Sequence, residues 1–460
     1  MDSTLACLAA WMPRQRWYAA KGRPPSLRLI SWWELENPIA GDDARLRTLL
    51  VSDEGSLPPV LYQIPIAERA TAHVEADREH VIGSPEPGTT FIDGPFDAAY
   101  AQALLALVTQ GGQARGPNML ARGIPNSPVE AIGPRHATVL RGEQSNTSVI
   151  FRADDGASPI ICKVFRQLHP GLSPDIELAT ALADAGSAHV PRAVGFIEAW
   201  WPDAATAGGS VFGSLAFAQE FLTGVDDAWR VALRAAARGD DFADRARALG
   251  TATADVHLAL AGIFPTFATD PESREETAAT WRRRLAIAIA EVPAIAERRD
   301  AIEDVYDRAC AAEWPAAQRI HGDYHLGQVL HVPGRGWVLL DFEGEPLRPM
   351  TERTHPDLAL RDVAGMLRSF DYVAGSIRLD DPSRSPGAIR EWAQHAREAF
   401  LQGYAQTSGV DLDAQRALLA ALELDKAVYE AIYEARNRPT WVSIPLRAIA
   451  RLVDRPTPVG

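Results

Sequence analysis

Short alternating patterns of apolar and polar residues occupy the first hundred residues. Segments rich in β-branched and aromatic residues, separated by Gly, Pro or Asp, predict strands at LRLISWWEL, LRTLLVS and VLYQIPI. The apolar period then changes to 3.6 residues over Phe96–Val108, which predicts an amphipathic helix. The glycine and proline content of the following GGQARGPNML is typical of a linker. We therefore place a first unit at residues 1–110.

A second β-rich pattern extends over residues 111–223. Strands are predicted at ATVLRG, TSVIFRA, PIICKVF, RAVGFIEAW and LAFAQEFL, with one helix at ELATALADAG. This succession predicts an antiparallel sheet with a helix packed against it. Residues 224–460 are mostly Ala-rich and amphipathic, which predicts a helical lobe, interrupted by a short β-like island from Ile320 to Phe342. The predicted fold class is α+β.

Composition and charge exclude several kinds of protein. The 47% hydrophobic and 23% charged residues are ordinary for a globular protein, and no apolar run approaches the roughly 20 residues that span a membrane. The formal net charge of −14 argues against a general nucleic-acid-binding surface. The cysteines are widely spaced and no secretory signal is evident at the N terminus. We expect a cytoplasmic protein with neither nucleic acid nor membrane as a partner.

The candidate chemistry lies in the β-like island, IHGDYHLGQVLHVPGRGWVLLDFEGEP. Asp323 is followed five residues later by Gln328, and Asp341 ends the apolar segment WVLL. Phosphoryl transfer from ATP needs a carboxylate that accepts the proton of the acceptor hydroxyl, and oxygen ligands that hold Mg²⁺ against the phosphates. A single aspartate more often caps a turn, but the assembled string favours kinase chemistry. We predict Asp323 as the catalytic base and Gln328, where protein kinases usually carry Asn, with Asp341 as magnesium ligands.

Candidates for binding the phosphates of ATP lie upstream. Lys163 sits in the apolar segment IICKVF, where an unpaired ammonium is costly unless it meets anions. Its position about 160 residues before Asp323 favours phosphate binding over the alternative, a solubilising lysine on an edge strand. Glu177, at the start of the predicted helix, is the candidate carboxylate to fix this lysine.

Two further segments complete the predicted ATP site. No glycine-rich loop precedes the lysine; Ser145, Asn146 and Thr147 instead form a predicted polar turn whose amides and hydroxyls are candidates for phosphate contacts. An ordinary hairpin turn is the alternative for that segment. The segment AFAQEFL is predicted as a strand that enters a hinge, with backbone groups near Glu220 and Phe221 meeting adenine.

His321 and His325 stand four residues apart, a spacing that also occurs in zinc sites. A zinc-peptidase helix would carry Glu directly after the first histidine, whereas this chain has Gly322, and Gly327 also favours a loop. We expect His321 to brace the loop and His325 to face either the acceptor or the loop backbone.

Taken together, these segments resemble the actinobacterial maltokinases. Further matching segments are SPDIEL, LRDVAGMLRSFDY, YEARNRPTWVSIPLRAIARL and RQRWYAAKGR, the last at the start of that family's extra N-terminal cap. The resemblance implies a protein-kinase-like bilobal fold related to the aminoglycoside phosphotransferases, with a cap at residues 1–110. It implies that ATP with Mg²⁺ phosphorylates the anomeric hydroxyl of maltose, giving maltose 1-phosphate for glycogen synthesis. It also implies association with trehalose synthase, which makes maltose.

The acceptor site is expected in the helical lobe, where aromatic faces pack against a pyranose and charged groups bind its hydroxyls. The candidate residues are His325, Glu343, Tyr429, Tyr433, Glu434, Arg438 and Trp441. Asn437 and Ser443 replace the His and Pro of typical maltokinases, so a glucosamine or aminoglycoside kinase of the same fold is the alternative. A non-catalytic pseudokinase is a third hypothesis, but such a protein would lack the lysine or one of the two aspartates that this chain retains.

Overall fold

A computed structural model describes residues 2–74, 80–126, 135–142, 145–203, 208–345 and 348–454. The chain divides into two compact units. The first contains Met1–Thr180 and Pro191–Thr223, and the second contains Ala181–Val190 and Gly224–Gly460. The N-terminal region is rich in strands and the C-terminal region in helices, which confirms the predicted α+β class.

An antiparallel sheet begins the first unit. Its strands are β1 (Leu27–Leu35), β2 (Arg45–Asp53), β3 (Val60–Ala70), β4 (Val81–Glu86) and β5 (Thr89–Asp93). They run in the order β1-β2-β3-β5-β4. The inner face packs on helix α1 (Asp2–Trp11) and the residues after it, with Trp11, Trp17 and Tyr62 in an aromatic core.

A second antiparallel sheet in the same unit carries the predicted lysine strand. Its strands are β6 (Gln113–Gly116), β7 (Met119–Pro125), β8 (Arg135–Val139), β9 (Asn146–Ala153), β10 (Ile160–Phe165), β12 (Ala193–Pro202) and β13 (Ser210–Glu220). Their order is β6-β7-β12-β13-β10-β9-β8. The short β11 (Gln167–Leu168), which follows β10, pairs instead with β3 of the first sheet.

The prediction of a linker at GGQARGPNML is wrong, because this segment forms the hairpin of β6 and β7. Ala114, Met119 and Ala121 are buried along it, and Asn118 turns the chain with φ 55°. Gly116 lets β6 approach the first sheet closely, since a Cβ there would lie 1.6 Å from the carbonyl oxygen of Trp32. Turn residues therefore marked the ends of two short strands rather than a connection.

Two helices pack within the first unit. Helix α2 (Ala98–Gln110) lies two residues beyond the predicted Phe96–Val108, because Asp97 caps its first turn by accepting from the backbone N–H of Ala99 and Tyr100. Gly111, with φ 72°, ends it. Helix α3 (Pro174–Asp184) begins in this unit and ends in the second.

The second unit is mostly helical. Its α-helices are α4 (Ala228–Arg238), α5 (Ala243–Ile263), α6 (Pro271–Glu291), α7 (Arg299–Ala311), α8 (Met350–Arg353), α9 (Leu360–Asp380), α10 (Pro386–Ser408), α11 (Arg416–Asn437) and α12 (Ser443–Val453). A small sheet orders β14 (Asp226–Asp227), β15 (Val329–Val332) and β16 (Gly336–Leu339), which bring the predicted β-like island together. Within the described ranges, no helix has both the length and the apolar character needed to cross a bilayer.

Candidate active site

One face of helix α9 holds the loop that carries Asp323. Asp362 is buried, and its carboxylate accepts from the backbone N–H groups of His321 (2.8 Å) and Gly322 (2.9 Å). One turn later, Gly365 lets the helix touch the loop, because a Cβ there would lie 2.5 Å from the carbonyl oxygen of Tyr324. Positions i, i+3 and i+4 of a helix share a face, so the helix fixes the loop backbone along one line.

The Asp362 carboxylate is itself fixed from the other side. His257 of α5 donates to it through Nε2 at 3.0 Å. Burial alone would raise the pKa of Asp362, but the hydrogen bond and charge of His257 and the backbone donors outweigh burial and lower it. The loop is therefore held by an ionised carboxylate.

The imidazole of His321 ties the two predicted aspartate segments together. Its Nε2 donates to the carbonyl oxygen of Leu340 at 2.8 Å, so that Nδ1 is the acceptor that faces the backbone N–H of Asp323 at 3.4 Å. The ring also lies against Phe342, with centroids 4.7 Å apart. One buried side chain thus bridges the backbone of Asp323 and the residue before Asp341, which is the bracing role expected for His321.

Asp323 faces a cation that the sequence did not reveal. The ammonium of Lys426, on α11, lies 3.7 Å from the Asp323 carboxylate and 3.3 Å from that of Glu345. Burial opposes the charged form of Lys426, but the carboxylates of Glu345 and Asp323 raise its pKa above the ordinary value. Lys426 is therefore charged at neutral pH and forms ion pairs with both carboxylates.

Gln328 and Asp341 form a direct pair. The Gln328 side-chain N–H donates to Oδ2 of Asp341 at 2.9 Å, and the backbone N–H of Leu340 donates to the carbonyl oxygen of Gln328 at 2.9 Å. Asp341 adopts a left-handed backbone with φ 64°, which is uncommon for a residue other than glycine and is concentrated at functional sites. The carboxylates of Asp341 and Glu343 approach each other within 4.8 Å.

Oxygen donors of this kind suit magnesium. The Gln328–Asp341 hydrogen bond uses an N–H of the carboxamide, so its oxygen points away from that bond, as does Oδ1 of the aspartate. Two carboxylates and a carboxamide oxygen are hard ligands of the type that Mg²⁺ prefers. These residues fit the predicted metal.

Lys163 lies on β10 with a buried carboxylate beside it. Ile160, Cys162 and Val164 of that strand are buried, so alternation places Lys163 on the opposite face. Its ammonium lies 2.9 Å from Oδ2 of Asp175, in the first turn of α3.

Asp175 is a partner of Lys163 that the prediction did not name, and its side chain is 2% exposed. Glu177, the predicted partner, lies two residues later in the first turn of the same helix and is half-buried. The role of Glu177 stays a prediction.

The predicted polar turn also needs correction, because Asn146 and Thr147 already belong to β9. Thr147 pairs across the sheet with Val164, and its hydroxyl accepts from Nε of buried Arg166 at 2.8 Å. Thr147 thus points away from the face of Lys163. Asn146 lies two residues before Ser148, the cross-strand partner of Lys163, and so shares the lysine's face.

Ser145, which precedes the strand, is exposed. Ser148 is a candidate that the sequence prediction missed. Ser148 could have been identified from Lys163 only if the pairing of their two strands had been known.

The predicted hinge donors are engaged elsewhere. The backbone N–H of Glu220 donates to the carbonyl oxygen of Arg192 at 2.9 Å, and that of Phe221 donates to Pro159 at 2.8 Å. Neither amide is available to adenine in this arrangement.

His325 caps the short 3₁₀-helix Leu326–Gln328. Its Nδ1 accepts from the backbone N–H of Gly327 at 3.0 Å, which places the ring proton on Nε2. Burial lowers the pKa of His325, although the nearby Asp323 charge works against that shift. Of the two roles left open for His325, the structure shows the contact with the loop backbone.

The predicted acceptor residues fall into two groups. Tyr429 belongs with the catalytic loop, because the Lys426 ammonium lies 5.2 Å from its ring centroid and the Arg284 guanidinium 5.8 Å. Burial raises the pKa of its hydroxyl to about 12, so Tyr429 is a neutral hydrogen-bond donor. A small cavity beside it is lined by Gly322, Glu345 and Lys426.

A second group surrounds Arg438. Its guanidinium lies 4.6 Å from the ring centroid of Trp441 and 5.7 Å from that of Tyr433. Glu434 is buried, and its carboxylate accepts from Arg438 at 2.6 Å and from the hydroxyl of Tyr372 at 3.0 Å. Glu434 therefore positions Arg438, and a contact of Glu434 with an acceptor stays a prediction.

Further charged residues that were not predicted complete this part of the second unit. Arg353 lies in the field of Glu343, Asp323, Glu345 and Asp341, while burial lowers its pKa. At Gly344, which has φ 73°, a Cβ would lie 3.3 Å from the Arg353 side chain, so the backbone passes close to that side chain. The polar residues of LRDVAGMLRS at helical spacing were the available signal for Asp362. No pattern in the sequence indicated Lys426 or Arg353, because their contacts depend on tertiary packing.

Comparisons with known proteins agree with this geometry. Residues 11–97 match the maltokinase N-terminal cap domain, and residues 136–419 match the phosphotransferase enzyme family. A glucosamine kinase of Streptacidiphilus jiangxiensis is 33% identical over 326 residues, which cover 66% of this chain and 70% of that protein. A glucosamine kinase of Mycolicibacterium smegmatis is 32% identical over 240 residues, covering 50% of this chain and 60% of that protein.

Solved structures extend the likeness. A glucosamine kinase in complex with glucosamine, ADP and inorganic phosphate matches with a TM-score of 0.68 and 25% identity, over 97% of this chain and 98% of that chain. Crystal form B of a glucosamine kinase gives a TM-score of 0.70 at 24% identity, over 98% and 99% of the two chains, and shows the same fold. The predicted enzyme class, a phosphotransferase with an alcohol group as acceptor, is confirmed. The chain belongs to the phosphotransferase enzyme family, related to the aminoglycoside phosphotransferases, and carries the maltokinase N-terminal cap domain.

Proposed function

We propose that this protein is an ATP-dependent sugar kinase whose acceptor is glucosamine. The observation that carries the kinase assignment is the hydrogen-bonded pair of Gln328 and Asp341, joined through His321 to the loop of Asp323. That arrangement supplies a proton acceptor and metal ligands in one braced segment, as phosphoryl transfer requires.

Asp323 is the proposed catalytic base. Its carboxylate orients the acceptor hydroxyl and takes its proton as the new bond to phosphorus forms. Lys426, 3.7 Å away, positions that carboxylate through an ion pair. Tyr429, on the same helix and next to Lys426, offers a neutral hydroxyl and a ring face to the acceptor.

Magnesium is the proposed metal, held by Asp341 and Gln328 with Glu343 in reach. When bound, it neutralises charge on the phosphates of ATP. Lys163, fixed by Asp175, is proposed to bind phosphate oxygens, with Asn146 on the same face of the sheet. Ser145, Glu220 and Phe221 stay candidates for nucleotide contact, the last two through their carbonyl oxygens.

The choice of glucosamine follows from the named activity of the curated relatives, which share about a third of their aligned residues with this chain. Maltose is the second candidate, because the match to the maltokinase cap domain favours it. Maltose as acceptor would place the protein in glycogen synthesis and make trehalose synthase a partner. In either case we infer a cytoplasmic enzyme, since ATP is available there.

An acceptor panel with γ-labelled ATP and Mg²⁺ separates these candidates. Glucosamine, N-acetylglucosamine, glucose, maltose and kanamycin are compared by kcat/KM, with the Asp323→Asn variant as the control for label transfer. We expect glucosamine to be the preferred acceptor and N-acetylglucosamine, which lacks the amine charge, to be poor. A higher kcat/KM for maltose would replace glucosamine with maltose, and no transfer to any sugar would overturn the proposed function.

A further inference from the structure

A groove lined with arginines lies in the second unit, formed by helices α9, α10 and α12. Its volume is about 660 Å³, within the roughly 300–1,000 Å³ usual for small-molecule sites. Five arginines line it, against the carboxylates of Asp371 and Glu391. The arginines are Arg378, Arg390, Arg397, Arg447 and Arg451. Such a local excess of positive charge stands out in a chain whose formal net charge is −14.

Two of these arginines are neutralised by carboxylates at the base of the groove. Arg397 donates to Glu423 at 2.9 Å, and Arg451 donates to Glu423 at 2.5 Å and to Asp371 at 2.8 Å. Glu423 is buried, and the charges of Arg397 and Arg451 outweigh its burial and lower its pKa. These pairs form a fixed charged floor.

The other three arginines differ. Among the described residues, no carboxylate lies within 4.0 Å of the guanidinium groups of Arg378, Arg390 or Arg447. Arg447 is held by Ser443, whose hydroxyl accepts from it at 2.9 Å. Burial and the like charge of Arg378 both lower the pKa of Arg447. Arg378 and Arg447 thus both line the groove without a carboxylate beside them, which suits a negatively charged ligand.

The remaining wall of the groove is small and apolar, with Ala374, Gly375, Ala393, Ile444 and Ala448. Gly375 sets its shape, because a Cβ there would lie 2.5 Å from the Ile444 side chain. This wall gives room for an uncharged ligand part beside the guanidinium groups. A bare ion would leave most of the volume unfilled.

We propose that this groove binds the phosphate monoester of a small, soluble metabolite such as a sugar phosphate. Guanidinium groups bind phosphate oxygens through paired, charge-assisted hydrogen bonds, and Arg378 and Arg447, which line the groove, are the proposed phosphate ligands. The uncharged part of the ligand lies on the apolar wall. The groove is a second site, because Asp323, Gln328 and Asp341 are not among the residues that line it.

A line of ion pairs begins at the groove and ends at α11. Arg451 donates to Asp371, Asp371 accepts from Arg368 at 2.5 Å, and Arg368 donates to Glu430 at 2.7 Å. Glu430 is one helical turn from Lys426, the residue that faces Asp323. The proposed ligand therefore contacts neither Asp323 nor the pair of Gln328 and Asp341.

Calorimetric titration of the full chain tests this proposal, with glucose 6-phosphate and inorganic phosphate as probes and glucose as the uncharged control. The double variant R378Q/R447Q removes the two guanidinium groups that are proposed to bind the phosphate. The matched control R416Q/R436Q removes two arginines of α11 that pair on the exposed surface. A third protein, Asp341→Ala, disables the proposed metal site.

We expect both phosphate probes to bind the wild type and glucose not to bind. R378Q/R447Q should weaken glucose 6-phosphate binding by about tenfold or more, because charge-assisted hydrogen bonds are lost. The control variant and Asp341→Ala should bind as the wild type does. R378Q/R447Q should keep its thermal midpoint and its kcat, since the lost charges have no carboxylate partner to leave buried.

Three results would overturn the proposal. They are no binding of either phosphate probe at millimolar concentration, unchanged affinity in a folded R378Q/R447Q, and loss of binding in Asp341→Ala, which would assign the anion to the catalytic site instead.

Discussion

The ammonium of Lys426 lies 3.7 Å from the carboxylate of Asp323, so the proposed base is held by a residue from a helix near the C-terminal end of the chain. Glu345, 3.3 Å from the same ammonium, keeps Lys426 in place. Catalysis in this enzyme is therefore expected to depend on helix α11 as much as on the loop.

Replacing Lys426 with Met should lower kcat about 10- to 100-fold while the KM for ATP changes little, because one favourable charge interaction with the base is lost. Lys426→Arg, which keeps the charge, should retain most of the wild-type kcat. Lys21→Met, on the exposed surface, is the control. A wild-type kcat in Lys426→Met would show that the lysine does not act on Asp323.

Asp323→Asn should retain folding and ATP binding but lower kcat by about 10²- to 10⁴-fold, the usual contribution of a general base. ADP release in a coupled assay measures the rate, and fluorescence of a labelled nucleotide measures binding. Turnover near that of the wild type would remove Asp323 from the role of base.

Asp341 and Gln328 should differ in how magnesium rescues their variants. Asp341→Ala should stay inactive at any Mg²⁺ concentration, because a charged ligand is lost. Gln328→Ala loses a neutral ligand and should only raise the Mg²⁺ concentration for half-maximal rate, with kcat recovering at high Mg²⁺. Full rescue of Asp341→Ala by Mg²⁺ would contradict its place at the metal.

Asp362 should make stability depend on pH on the acid side. Its pKa is lowered by His257 and the loop amides, so it stabilises the folded state above its unfolded-state pKa of about 3.9, and this contribution is lost as pH falls through the lower folded value. At pH 7, Asp362→Asn should cost about 3 kcal/mol, since it breaks a buried charged cluster. The difference from wild type should shrink below about pH 4, as measured by urea unfolding. A constant difference between pH 7 and pH 3 would show that folding does not lower the pKa of Asp362.

A buried ion pair links the two sheets of the first unit. Arg166, after β10, donates to both oxygens of Asp93 at 2.8 and 2.7 Å, and both side chains are almost fully buried. Asp93→Asn should lower the free energy of unfolding by about 3–5 kcal/mol, because an unpaired guanidinium stays buried. Glu54→Gln, which removes the exposed partner of Arg28, should cost less than about 1 kcal/mol. Equal effects of the two variants in denaturant melts would contradict this account.

The sequence was sufficient for those features that depend on local spacing. Asp323, Gln328 and Asp341 lie within one short segment. The side chains of Gln328 and Asp341 are hydrogen-bonded to each other, and His321 bridges the backbone of Asp323 and that of the residue before Asp341. The strand that carries Lys163 and the helical character of residues 224–460 were also predicted from their apolar patterns. Their functional roles stay proposals.

The sequence was insufficient where tertiary packing decides which side chains meet. The pairing of Asp175 with Lys163 depends on where α3 lies, and Thr147 turns towards Arg166 because of the strand register. Lys426 meets Asp323 only because two helices and a loop converge. No spacing in a single chain encodes those distances.

Gln63 of β3 has a consequence for truncated forms of this protein. Its side-chain N–H groups donate to the carbonyl oxygens of Phe165 and Leu215, each at 2.9 Å, where β10 and β13 diverge. A fragment that lacks the first hundred residues would therefore expose unpaired strand ends and lose the partner of β11. Such open edges recruit strands from other molecules, so the shortened chain should form aggregates instead of a smaller working enzyme.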